Sequence, residues 1–199
     1  MKKTFLLATV LACILSACES KWVEQVQLIP QAENVEILNG SHALSNLQSI
    51  QAPDAWKATA ENFINDVKKN AGIQVVLVSE GGCITLTENT NLPKEAYNLS
   101  ITKNAIQIEA SDIQGINHGL TSLHQLILTA KDGKLPVLNI QDKPLYGYRG
   151  LMLDCSRHFW TVDELKESID QMAFFKFNTL HMHLTDNQAW RMAVDKYPS

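Results

Sequence analysis

Two fold classes follow one another along this chain: an α+β domain over residues 30–142, an antiparallel sheet covered by helices, and then the opening of a parallel α/β layer over residues 146–199. Three observations predict this. Apolar Tyr97, Leu99 and Ile101 alternate with polar residues, and Ile106 and Ile108 resume the alternation after the turn residues Lys103 and Asn104, as in a hairpin with one buried face. Ile116, Leu120, Leu123 and Ile127 recur at spacings of four, three and four, the period of an amphipathic helix. After Pro144 the grammar changes to a continuous apolar run, Leu151-Met152-Leu153, then a helical pattern, then a second strand.

The chain does not start with fold. Lys2 and Lys3 precede an apolar run over residues 5–15, too short to span a bilayer but suited to a signal sequence over residues 1–17. The run ends in Leu15-Ser16-Ala17-Cys18, a small-residue cleavage site followed at once by cysteine. That arrangement resembles the bacterial lipoprotein signal, in which Cys18 is lipidated and becomes the mature N-terminus. A plain secretory peptide with an incidental cysteine is the other reading. Glu19 stands where an Asp would suggest inner-membrane retention, so the expected place is the outer membrane, reached through lipid and not through charge. Residues 18–29 are polar and read as a tether.

Order begins near residue 30. Trp56, Ala60, Phe63, Ile64 and Val67 share one helical face over residues 53–70, with Pro53 at the start and Gly72 as the stop. Residues 73–78 and 83–87 read as strands around a Gly81-Gly82 turn, and Ser111 or Asp112 caps the second helix. Nothing catalytic gathers in this domain, and His118 and His124 read as ordinary core or surface histidines. Beyond Cys18 only Cys83 and Cys155 remain, each in an apolar stretch. That is too few for a disulfide scaffold and shows no metal-knuckle spacing. The formal charge of −4, without a basic stripe, sets nucleic-acid binding aside.

In the second unit, the strand at 151–153 runs on towards Arg157 and His158. Thr161 and Glu164 form a capping box for a helix whose apolar face is Val162, Leu165, Ile169, Met172 and Ala173. In residues 178–186, Leu180, Met182 and Leu184 alternate against His181 and His183. Strand, crossover helix and strand make a βαβ unit. Ligands of parallel α/β sheets sit beyond the carboxyl ends of the strands, where Arg157 and Asp186 fall. A guanidinium beside a carboxylate there either binds hydroxyl-rich substrate or forms a plain ion pair, and the pattern leaves both readings open. Two strands and one helix cannot close a sheet, so the chain is expected to be truncated.

Taken together, Tyr148-Arg149-Gly150-Leu151-Met152-Leu153-Asp154, then Ser156-Arg157-His158-Phe159, Met172-Ala173, Lys176, Asn178, His181 through Gln188, and Trp190-Arg191 resemble the opening of glycoside hydrolase family 20, the β-N-acetylhexosaminidases. Residues 95–101 and 115–126 more softly resemble the family's accessory domain. The resemblance implies a (β/α)₈ barrel, here its first βαβ unit, that removes terminal N-acetylglucosamine or N-acetylgalactosamine with retention. The substrate's own acetamido group acts as nucleophile, an exception to the two-carboxylate scheme. On this resemblance Arg157 holds sugar hydroxyls, and Asp186 supports the acid Glu through a histidine further on. Arg149 and Asp154 are read as structural first, and His181 and His183 as barrel filling. No metal or other cofactor is implied; the partners are N-acetylhexosamine glycans or chitooligosaccharides. The family's Asp-Glu pair has no match here, since Asp163-Glu164 opens a helix, so this chain alone is expected to be inactive. The rival class is a sugar-binding or adaptor lipoprotein without catalysis.

Overall fold

A computed structural model describes residues 26–196; the signal sequence, Cys18 and most of the tether lie outside the described residues. A seven-stranded sheet dominates the first domain. It comprises β1 (Asn34–Ala43), β2 (Ser49–Gln51), β3 (Val76–Val78), β4 (Ile84–Glu88), β5 (Tyr97–Ile101), β6 (Ile106–Ala110) and β7 (Lys134–Asp142), in the order β1-β7-β5-β6-β4-β2-β3. Helices α1 (Lys57–Ala71) and α2 (Ile113–Leu128) cover one face.

The expected hairpin is present: β5 and β6 pair antiparallel, with Leu99 opposite Ile108. The sheet as a whole is mixed, which corrects the antiparallel expectation, because β2 pairs parallel with both β3 and β4, and β4 pairs parallel with β6. The reason lies in the connections. Helix α1 is a crossover that returns the chain beside β2 in the same direction. The link from Glu88 to Tyr97 carries β5 one strand position beyond, so that β6 returns between β5 and β4. Gly82 permits the short passage from β3 to β4 across the end of β2, since a Cβ there would stand 2.6 Å from the Gln51 amide nitrogen.

The helices begin and end where their chemistry requires. A 3₁₀ turn over Asp54–Trp56 follows Pro53 and leads into α1, which closes on Gly72 in the left-handed conformation at φ +69°. Asp112 caps α2, its carboxylate accepting from the Gly115 amide at 2.8 Å. Trp56, Ala60, Phe63 and Val67 of the first helical face are buried, as are Ile116, Leu120, Leu123 and Ile127 of the second, against Ile50, Ile84, Leu86, Leu99 and Ile108 of the sheet.

The second unit pairs β8 (Gly150–Asp154) in parallel with β9 (Thr179–His183) through α3 (Val162–Phe174), whose Thr161–Glu164 capping box is formed. The first strand ends at Asp154 and turns before Arg157 instead of running on through it. Leu153 is buried, whereas Met152, on the opposite face of the strand, is exposed.

The two units are joined by buried polar contacts. Lys176, one residue past the α3 C-cap and at φ +61°, inserts its ammonium into the first domain. There it donates to Ser122 Oγ at 2.8 Å and Tyr97 Oη at 3.1 Å, and lies 3.4 Å from the Asp142 carboxylate. Arg149 donates to Glu95 at 2.7 Å and to the Lys176 carbonyl at 2.8 Å. The Gln125 amide reaches the Phe174 carbonyl at 2.9 Å, and Phe174 meets the His124 ring edge-on. Helix α2 is therefore covered on two sides, by its own sheet and by the βαβ unit.

Candidate functional site

The carboxyl ends of β8 and β9 bring together four charged or titratable side chains. Asp154 closes β8, and its Oδ1 accepts from the backbone amides of Ser156 at 3.1 Å and Arg157 at 2.9 Å. This tight turn throws Arg157 back over the strand ends, where its Nε lies 3.2 Å from Asp154 Oδ2. The same guanidinium reaches Asp186 through Nη2 at 3.0 Å and Nε at 3.3 Å. His183 Nε2 lies 3.1 Å from Asp186 Oδ2, and the Asn187 amide donates to Asp186 Oδ1 at 2.7 Å.

These contacts set the charge state. Asp186 is held down to about 2, first by the Asn187 amide and then by His183 and Arg157. Asp154 is lowered chiefly by the Arg157 amide, with help from the Arg157 charge. Both carboxylates are therefore ionised at neutral pH. Arg157 is 61% exposed along its side chain, which leaves the N–H donors not engaged by the two acids to face solvent.

The loops carrying these residues are braced. Ser156 Oγ donates to the Ala189 carbonyl at 2.8 Å, and Arg191 donates from Nε to the Cys155 carbonyl at 3.0 Å while lying over the Phe159 ring. The 186–191 loop folds on itself, with Asp186 bonded to Ala189 and Arg191 to Leu184 through backbone.

The structure thus brings Arg157 and Asp186 together, as their positions at strand ends predict. It also adds Asp154 and His183 to the group. His183 sits opposite Asp154 in the β8–β9 register and three residues before Asp186. A histidine three residues before Asp186 is the sequence signal that points to this contact. His181, two residues back on the same face, makes no such contact and is exposed. Among the described residues no three His, Cys, Asp or Glu side chains are arranged to hold a metal.

Other candidates lie elsewhere. Arg149 is at the opposite end of β8, in the junction with the first domain. His118 and His124 are buried there, His118 against Glu95 at 3.4 Å, and burial lowers the pKa of both. Cys155 is buried, while Cys83 is half-buried and donates its thiol to the Ser49 carbonyl at 2.9 Å. A cleft of about 990 Å³ between α1, α2 and α3 contains none of the strand-end residues.

Comparison with known proteins gives these strand ends a context. Residues 25–143 match the model of glycosyl hydrolase family 20, domain 2, and residues 146–199 match that of the family's catalytic domain. The chain is 34% identical over 174 residues to a beta-hexosaminidase of Vibrio furnissii, covering 87% of this chain and 28% of that protein. It is 39% identical to an N,N'-diacetylchitobiase of Vibrio harveyi, covering 86% of this chain and 20% of the relative. Among solved structures, a GH20 exo-β-N-acetylglucosaminidase of V. harveyi in complex with N-acetylglucosamine superposes with TM-score 0.81 at 28% identity. That match covers 87% of this chain and 28% of the other. A Streptomyces plicatus N-acetyl-β-hexosaminidase gives 0.78 at 30% identity, over 87% of this chain and 37% of the other.

Proposed function

Because this chain belongs to glycosyl hydrolase family 20, we propose that it supplies the accessory domain and the first βαβ unit of a β-N-acetylhexosaminidase acting on terminal N-acetylglucosamine or N-acetylgalactosamine. The observation that carries the reading is Arg157, held through Nε and Nη2 between Asp154 and Asp186 at the carboxyl ends of two parallel strands, with its side chain largely exposed to solvent. A guanidinium so placed binds paired sugar hydroxyls with charge-assisted hydrogen bonds. The fixed Asp186 carboxylate is available to orient a group supplied by a later strand. Catalysis then runs by the substrate-assisted retaining route, in which the 2-acetamido oxygen attacks the anomeric carbon while an acid Glu protonates the leaving oxygen.

The Asp-Glu pair of that route has no counterpart in residues 146–199, so the reading assigns it to sequence outside this chain. In the same reading Cys18 carries a lipid that anchors the enzyme at the outer membrane, and chitooligosaccharides or N-acetylhexosamine glycans are the substrates. The gene beyond the codon for Ser199 tests the assignment. A continuing frame that contains an Asp-Glu pair, whose product hydrolyses a chromogenic N-acetylglucosaminide, is the expected result. A frame that continues without that pair, or a product without turnover, overturns it.

A further inference from the structure

We propose that His183 is a positioning residue for this site: it fixes the Asp186 carboxylate in the orientation that presents Arg157 to a ligand. The inference rests on the reading of Arg157 as a sugar-binding residue, and goes beyond it by assigning what holds that arginine in place. His183 is distinct from the histidine that the family places after Asp186, since it precedes Asp186 on β9.

Asp186 Oδ1 is tied to the backbone amide of Asn187 at 2.7 Å. That bond alone leaves the carboxylate free to pivot about its Oδ1. Its other oxygen, Oδ2, receives Arg157, a long side chain that loses rotamer entropy on being held and is itself open to solvent. A partner of that kind cannot immobilise an acid. His183 can, because its ring rises from the regular part of β9, in register with Asp154, and has only two torsions. With the proton on Nε2, it donates to Asp186 Oδ2 at 3.1 Å. Asp186 is then gripped at both oxygens by its own strand and loop, and Arg157 has a fixed acceptor on one side. Asp154, fixed by the amides of Ser156 and Arg157, is the acceptor on the other. The guanidinium is thereby clamped between two oriented carboxylates. Removal of His183 releases only one jaw of the clamp, so Arg157 should lose direction without loss of the fold.

Two substitutions of similar size and polarity separate positioning from packing. In His183→Gln the amide nitrogen reaches the region of Nε2, whereas in His183→Asn the side chain is too short to do so. In the whole enzyme the Gln variant should stay close to wild type in kcat/KM. The Asn variant should lose roughly tenfold or more, the ordinary effect of a lost hydrogen bond to a charged group, expressed mainly as a raised KM. A crystal structure of the Asn variant should show Arg157 displaced from Asp186, and that of the Gln variant should show the pair intact. Equal kinetics for the two variants, or an undisturbed Arg157–Asp186 pair in the Asn variant, would overturn the proposal. A wild-type enzyme without hexosaminidase turnover would instead sink the proposed function, and the crystallographic comparison would still decide the role of His183.

Discussion

Lys176 crosses the boundary between the two domains and donates to Ser122 at 2.8 Å, a contact buried on both sides. Its ammonium also stands 4.8 Å over the Tyr97 ring and faces Asp142. Two of the three non-glycine residues with positive φ among the described residues, Glu95 and Lys176, lie at this junction, which is where local strain is offset by dense hydrogen bonding.

Replacement of Lys176 by Met should therefore leave Asp142, Tyr97 and Ser122 without their cation in a dry site. Breaking a buried pair on one side costs about 3 kcal/mol, or roughly 10 °C in Tm for a chain of this size. Thermal unfolding checks the magnitude. Amide exchange should show β8 and β9 losing protection before β5 and β6.

Arg157→Ala in the whole enzyme should damage turnover more than folding. A charged donor to sugar hydroxyls contributes about 1.5–3 kcal/mol, and about 1.4 kcal/mol is a factor of ten. The expected loss in kcat/KM is thus on the order of ten- to a hundredfold, read on a chromogenic N-acetylglucosaminide. An unaltered kcat/KM would leave Arg157 as an ion-pair residue only.

The junction should respond to pH through His118. Burial, aided by the nearby Lys176 and Arg149 charges, lowers its pKa below the ordinary 6.5, while Glu95 pulls the other way. The unfolded chain then takes up a proton before the folded one does. Stability is full above pH 6.5 and falls as the pH drops from there towards the folded-state value. A plot of Tm against pH should decline over that window, and His118→Asn should flatten the decline.

Cys18→Ser should abolish incorporation of labelled fatty acid and block the lipid-dependent processing of the precursor. Unchanged labelling and processing would discard Cys18 as the lipid anchor.

The 199-residue chain by itself should give no hydrolysis above the blank, since no acid Glu follows an Asp at the required place. A (β/α)₈ barrel takes about 250 residues, and its first βαβ unit leaves strand edges unpaired. Exchange protection should accordingly be strong from Ile106 to Ile127 and weak from Leu151 to Leu184. Equal protection in the two regions would show that the βαβ unit stands unaided.

The parts of this structure legible in the sequence are those governed by local rules. The α2 face, the hairpin of Leu99 and Ile108 and the Thr161–Glu164 capping box each follow from periodicity or capping chemistry within a few residues. Strands β1 and β7 escaped for physical reasons. Edge strand β1 is largely exposed on both faces and so lacks alternation, and β7 carries Pro136, which argues against a strand. Pro136 is tolerated because it pairs only with β1, at Ser41 where the register shifts, and lies beyond the stretch of β7 bonded to β5. The parallel pairings depend on where the chain crosses, which no residue pattern encodes. At the site, Arg157 and Asp186 were visible from their strand-end positions. Asp154 and His183 joined them only once the register placed the two side by side, and Lys176 showed its role only through a backbone turn that directs it inward.

Helix α2, wedged between its own sheet and the βαβ unit, makes the first domain a poor transferable cassette. The stretch from Lys143 to Gly147, with Pro144 and Gly147 around an exposed Leu145 and Tyr146, has the look of a linker, yet a cut there would strip Phe174 from His124 and Lys176 from Ser122 and Asp142. Moving residues 26–142 onto another partner domain would require Arg149 and Lys176 to come along as well. A swap of this domain should therefore carry the βαβ unit with it, because the contacts of Lys176, Arg149 and Phe174 are made between the two.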